Sequence, residues 1–280
     1  MNNNILVIGG PNAGKTHFGG QLYGRLNSRK FSYRIDPNNR PADLTIFEDV
    51  INKLSEGIRA GHTEASANRS IELKIDDEKG NKITLAFPDY AGEQVKEIVS
   101  TRKLNALWQN YIKSSTTWIM FVRLDEISEL EDIVNRGIPA PEEIVRRNAQ
   151  PPPVKISDAA QFVELLQILL YVKGISTLHK TNLPKLCVLL SCWDTLGVDD
   201  GTIPEKLLEE RVPLLHDFVK NNWASESFSI LGLSSTERTL SDEPDEEYID
   251  KTPISFGYFV MPSGIEERDL TLLISNFIGK

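Results

Sequence analysis

An apolar run, Ile5–Ile8, leads straight into Gly9-Gly10-Pro11-Asn12-Ala13-Gly14-Lys15-Thr16, and a stretch of helical periodicity follows. No other segment constrains the fold as tightly. The spacing fits G-x-x-x-x-G-K-[ST], with the strand before and the helix after that this motif requires. Glycines let the backbone curl so that successive N–H groups point at one spot, and the N-terminus of the next helix adds partial positive charge there. Such a concavity takes phosphate. Lys15 then reaches the β- and γ-oxygens of a nucleoside triphosphate, and the Thr16 hydroxyl becomes a Mg²⁺ ligand. Gly9, Asn12, Ala13, Gly14, Lys15 and Thr16 are the expected phosphate-site residues. His17 joins them by its place in the first helical turn, although packing is its plainer role.

The rest of the chain alternates short apolar runs with longer stretches of helical periodicity. Strands are expected at Asn4–Ile8, Ile71–Asp76, Ile83–Phe87, Thr117–Val122, Leu186–Leu190 and Phe228–Leu233. Five of these are almost continuously apolar, as strands covered on both faces are. In the other, Ile71, Leu73 and Ile75 alternate with charges, and Asp77-Glu78-Lys79-Gly80-Asn81 then signals a hairpin into the Ile83 strand. Leu44, Phe47, Ile51, Leu54 and Ile58 keep one helical face apolar, as do Phe162, Leu165, Leu166, Leu169 and Val172. A capping box, Ser263 with Glu266, is expected to open a last helix carrying Leu270, Leu273 and Phe277 on its buried stripe.

Strands alternating with helices indicate an α/β P-loop NTPase fold. The expected form is a doubly wound, mostly parallel six-stranded sheet with one antiparallel strand and helical inserts. The whole of 1–280 reads as a single domain, with residues 125–182 as a helical insertion broken by Pro151-Pro152-Pro153. The acidic run 241–250 reads as a solvated loop or as a docking strip for a basic partner.

Forty acidic against 31 basic residues leave a net charge of −9, which argues against a nucleic-acid partner. Cys187 and Cys192 lie in one apolar run and are too few for a disulfide framework. The histidines show no spacing that suggests zinc. There is no charged leader, and the best apolar stretch, Phe162–Val172, is too short to span a bilayer and is broken by Glu164 and Gln167. A soluble, cytoplasmic protein is expected.

Three further segments carry chemistry. Pro88-Asp89-Tyr90-Ala91-Gly92-Glu93-Gln94 follows the Ile83 strand, so Asp89 stands at a sheet end near the phosphate loop. A carboxylate there can hold a Mg²⁺ shell. Gly92, lacking a Cβ, can bring its N–H against a γ-phosphate. Ser191-Cys192-Trp193-Asp194 ends the Leu186 strand, leaving a carboxylate at the sheet end. Ser234 and Ser235 follow the Phe228 strand.

Taken together, these segments resemble the G domain of small GTPases. PDYAGEQ is similar to the second switch, where D-x-A-G-Q is usual; here Glu93 follows the glycine and Gln94 is displaced by one. The resemblance implies a water-orienting role for Gln94 beside Lys15 and Gly92, a Mg²⁺ shell of Thr16, Asp89 and a first-switch threonine, and backbone contacts from Ser234 and Ser235 to the base. Thr63 is the best placed threonine, because Thr45 falls inside a helix pattern. Asp194 aligns with the last residue of N-K-x-D, which implies a carboxylate accepting the two donors on the guanine edge, where adenine offers an acceptor; Ser191 and Cys192 stand where that motif has asparagine and lysine. Length, helical inserts and the Ser-Cys-Trp-Asp turn resemble bacterial double-GTPase modules of antiphage conflict systems, which implies a protein partner. A Mg²⁺-dependent GTP-hydrolysing switch is the leading expectation. A nucleotide-dependent scaffold with little turnover and an ATP-using P-loop enzyme are the alternatives. Arg59, Arg69 and Arg102 are candidate charge-stabilising fingers.

Overall fold

A computed structural model describes residues 3–28, 30–31, 33–39, 44–61, 70–77, 80–89, 92–128 and 156–275. Elements are numbered along these residues. The strands are β1 (Asn3–Ile8), β2 (Tyr33–Ile35), β3 (Ile71–Asp77), β4 (Lys82–Phe87), β5 (Thr117–Arg123), β6 (Lys185–Ser191), β7 (Phe228–Ser234), β8 (Tyr258–Val260) and β9 (Glu266–Glu267). The helices are α1 (Lys15–Asn27), α2 (Thr45–Ser55), α3 (Glu93–Thr101), α4 (Ala106–Ser114), α5 (Asp158–Lys173), α6 (Pro204–Arg211), α7 (Pro213–Asn222), α8 (Glu246–Lys251) and α9 (Leu272–Ser275).

One sheet joins all the strands in the order β2-β3-β4-β1-β5-β6-β7-β8-β9. The centre, β4-β1-β5-β6-β7, is parallel throughout. The six expected strands are all present, but among the described residues the sheet has nine, and β8 as well as β3 runs against its neighbours. The three additions span only two or three residues each. Elements that short show no alternation from which a strand can be read.

Alternation along each central strand sends successive side chains to opposite faces. Ile5, Val7, Phe121 and Leu189 meet Phe18, Leu22 and Leu26 of α1 and Leu273 of α9 on one side. Leu6, Ile8, Met120, Val122 and Leu190 meet helices α3, α4, α5 and α7 on the other. Both faces are therefore dry, which is why these strands are continuously apolar. All four tryptophans are buried. Leu165, Leu166, Leu169 and Leu170 of α5 belong to the second cluster. This helix, inside the expected insertion 125–182, is thus part of the sheet-covering layer between β5 and β6. Pro151-Pro152-Pro153 lies outside the described residues.

The expected capping box does not form. Ser263 lies in a turn where Gly264 N–H donates to Met261 O (2.9 Å), and Glu266 pairs with Val260 in the β8–β9 hairpin. Leu270 and Leu273 are buried all the same, while Phe277 lies outside the described residues. Side-chain caps are instead supplied by Asn105 to α4, Ser157 to α5 and Asp245 to α8.

Helix α1 lies against α2 through its small residues. A Cβ on Gly19 would stand 2.2 Å from the fully buried Phe47 ring, and one on Gly20 2.3 Å from Val50. Overpacking of this kind outweighs the helix propensity that alanine gains. Gly19→Ala is expected to destabilise the chain by roughly 1–2 kcal/mol, read from the urea midpoint at unchanged slope; an equal or raised midpoint would contradict this account of the helix contact.

Candidate nucleotide site

The glycine loop joins β1 to α1 at the C-terminal edge of the parallel strands, where open α/β sheets bind ligands. Gly14, at φ +84°, is the N-cap of α1, and Asn12 also takes a left-handed conformation at φ +58°. Among the described residues no side-chain cap hydrogen bond is made at the N-cap of α1, and its first turn carries no acidic residue. Its N-terminal dipole thus faces the loop uncompensated by any carboxylate of its own first turn. Lys15 is 4% exposed, and its ammonium donates to the carbonyls of Gly9 and Gly10, each at 2.6 Å. Burial lowers its pKa to about 8, against the raising influence of Asp89 and Glu93.

Asp89, at the end of β4, is buried and accepts the N–H groups of Gly92 (2.9 Å) and Val95 (3.1 Å). It therefore caps α3 while facing Lys15. Gly92 rests directly on the phosphate loop: a Cβ there would lie 2.4 Å from Gly10 C and from Pro11 N. Its φ of +89° is a second reason for glycine. Gln94 points elsewhere. It accepts a hydrogen bond from the Trp108 indole (2.8 Å), whereas Glu93 and Lys96 reach the cleft wall. Thr63 and Arg69 lie outside the described residues.

Beyond β6, Asp194 accepts the Ser234 hydroxyl hydrogen at 2.5 Å, and Ser234 Oγ in turn accepts Glu237 N–H at 2.8 Å. Ser234 is fully buried behind Asp194, so it orients the carboxylate from behind rather than facing a ligand. Ser235 and Thr236 do reach the cleft. The Trp193 ring packs on Gly232, where a Cβ would approach within 2.5 Å. Cys192 stands beside Arg123, but burial wins over that cation and pushes the thiol up to about 11, so it is not a reactive cysteine.

These edges enclose one cleft of about 690 Å³, running from Gly14, Lys15, Thr16 and His17 to Asp194 and Ser235. That is within the range of roughly 300–1,000 Å³ usual for ligand sites. Thr16 and Asp89 offer oxygen donors. Among the described residues no group of three or more His, Cys, Asp or Glu could cage a metal.

Several cleft residues carry no signal in the sequence. Arg123, at the end of β5, and Arg238, in the segment after β7, both reach it. Of the arginines singled out in the sequence, Arg59 also reaches it, while forked onto Asp242 (2.7 and 2.8 Å). Arg102 pairs with Glu164 instead and does not reach the cleft. The acidic run 241–250 is mostly exposed, as a solvated segment is, but it is tied to the fold at three points. Asp242 is taken by Arg59, Asp245 caps α8, and Glu247 pairs with Arg238 and Lys251.

A parallel sheet whose first strand enters an uncapped helix through a glycine loop, with a buried lysine at the loop's mouth, defines a P-loop nucleotide-binding domain. The chain belongs to the Double-GTPase 1 family, whose model matches residues 6–277. Similar solved structures include the Arl6 (BBS3) small GTPase of Trypanosoma brucei with bound GppNp, at 11% identity over 84% of this chain and 88% of that one, TM-score 0.41. Another is the S. cerevisiae Ski7 GTPase-like domain bound to GTP, at 15% identity over 84% of this chain and 43% of that one, TM-score 0.41. These likenesses are distant and carry no functional weight. No curated protein matches the chain. No helix among the described residues is long and apolar enough to cross a membrane.

Proposed function

We propose that this chain binds GTP with Mg²⁺ and hydrolyses it as a switch read by a protein partner. One arrangement supports this best: a single cleft has Lys15 and the uncapped α1 at one end and the Ser234-held Asp194 at the other. Phosphates would draw the Lys15 ammonium off the Gly9 and Gly10 carbonyls, and the α1 N–H groups would share the same oxygens. Mg²⁺ held by Thr16 and Asp89 would neutralise charge on the β- and γ-phosphates. Asp194 would accept both donors of the guanine edge, and Ser234 would fix its orientation.

Gln94 is held by Trp108, so slow turnover is expected of the chain alone, with a partner's group completing the water-orienting side. The same contact favours, as a second reading, a nucleotide-dependent scaffold. Phosphate release separates the two. Tight GTP binding without release, with the native partner present, selects the scaffold. The conflict-system setting rests on the sequence resemblance alone.

Competition between GTP and ATP for the cleft tests base selection. Asp194→Asn places a donor against guanine donors and should cut the preference for GTP over ATP by about a hundredfold. Equal preference in the wild type, or an unchanged ratio in the variant, would sink the guanine assignment.

A further inference from the structure

The guanidinium of Arg123, at the end of β5, lines the cleft and stands between the phosphate loop and the turn bearing Asp194. Its NH1 donates to Asn12 O of the phosphate loop at 3.3 Å. Nε and NH2 fork onto Asp125 at 3.0 and 3.1 Å, and NH1 lies 2.8 Å from Glu126. Thr195 Oγ1, one residue past Asp194, stands 3.1 Å from Asp125 and 2.8 Å from Cys192 O, sharing its one hydrogen between them. The chain of contacts therefore runs from the phosphate loop through Arg123 and Asp125 to the base-side turn.

We propose that Arg123 is a positioning residue for the nucleotide, touching it between phosphates and base while tying the phosphate loop to the base-side turn. This inference rests on the nucleotide reading of the cleft. A ligand with its phosphates on Gly14 and Lys15 and its base on Asp194 must pass Arg123, whose side chain is 28% exposed. The two carboxylates fix the guanidinium plane, so little rotamer freedom is lost when a ligand arrives. No cation comes from the turn itself, where Ser191 and Cys192 abut the phosphate loop: a Cβ on Gly14 would lie 3.4 Å from Ser191 Cβ and 3.9 Å from Cys192 Sγ. Cys192 thus occupies the wall that Arg123 serves, and a lysine there would bring an ammonium to the same place.

That juxtaposition provides a rescue test. Arg123→Ala, Arg123→Lys and the double variant Arg123→Ala with Cys192→Lys are compared with wild type for equilibrium binding of GDP and GTP and for the ligand-free melting temperature. Arg123→Ala should raise both Kd values by roughly ten- to a hundredfold, the loss of a charged contact. Arg123→Lys, which keeps the charge and loses the fork, should fall between, and it serves as the probe should the alanine variant fail to fold. Cys192→Lys should recover most of the loss. Wild-type affinity in Arg123→Ala, or a loss that Cys192→Lys leaves untouched, overturns the role given to Arg123. Absence of GTP binding by the wild type would overturn the cleft's assignment instead, so the two failures are distinct.

Discussion

Lys15→Ala is expected to lower GTP turnover by about 10²–10³-fold, the cost of deleting one preorganised charge that meets the transferring phosphoryl group. The stronger test is the pH dependence of binding. In the free protein, burial holds the Lys15 pKa near 8, with Asp89 and Glu93 opposing. A triphosphate seated against the ammonium favours its charged form and raises that value. Above about pH 8 the free site has released its proton and the bound site retains it, so binding takes up a proton. Affinity should therefore fall as pH rises above 8, by up to tenfold per unit, since each pKa unit corresponds to about 1.4 kcal/mol. The free protein has the opposite sign. Its Lys15 pKa lies below the unfolded value near 10.5, so the unfolded chain binds more protons in the window between, and this group's contribution to stability rises with pH there. Titration of GTP at several pH values from 7 to 10, in wild type and Lys15→Ala, decides. A flat wild-type profile, or a slope that persists in the variant, removes Lys15 from phosphate binding.

Gly92→Ala should be the most damaging single-methyl change at the site. The added carbon would meet Gly10 and Pro11 main-chain atoms at 2.4–2.5 Å, and main chain cannot rotate away as a flexible side chain does. The backbone would also have to hold φ +89° with a Cβ present. The expected loss is roughly 2–4 kcal/mol of stability, with turnover falling because the phosphate loop shifts. Gly80→Ala is the control: its φ is +78°, but nothing lies within 4 Å of the added carbon, so it should cost only about 1 kcal/mol. Denaturant midpoints for the pair, with phosphate release, measure this. Gly92→Ala no more damaging than Gly80→Ala would mean that the turn does not rest on the loop in solution.

The fold was legible wherever a signal is local. The continuous apolar runs at Ile5–Ile8, Thr117–Val122 and Leu186–Leu190 announce strands covered on both faces, and the two core clusters show why. The last helix misleads, because Ser263 and Glu266 satisfy a capping pattern while β7 and β8 supply a sheet edge to which Glu266 adds as strand. Pairing with an existing edge satisfies more backbone groups than one helical turn would. The acidic run is exposed as its composition indicates, and only its anchoring was not readable. Arg59, 183 residues away from Asp242, is brought onto it by the packing of α2 against α8.

At the site, the amino-acid sequence by itself determined the phosphate loop, the glycine that must follow Asp89 and the carboxylate at Asp194. Each depends on backbone geometry within a few residues, which residue types at fixed spacing encode directly. Tertiary structure alone decided which side chains face the cleft. Gln94 is turned to Trp108, leaving Glu93 on the cleft wall, and Ser234 goes behind Asp194. Arg123 reaches Asn12 across 111 residues only because β1 and β5 are sheet neighbours. Contacts of that kind arise from which strands lie side by side, a property of the whole packed core that no short stretch of chain contains.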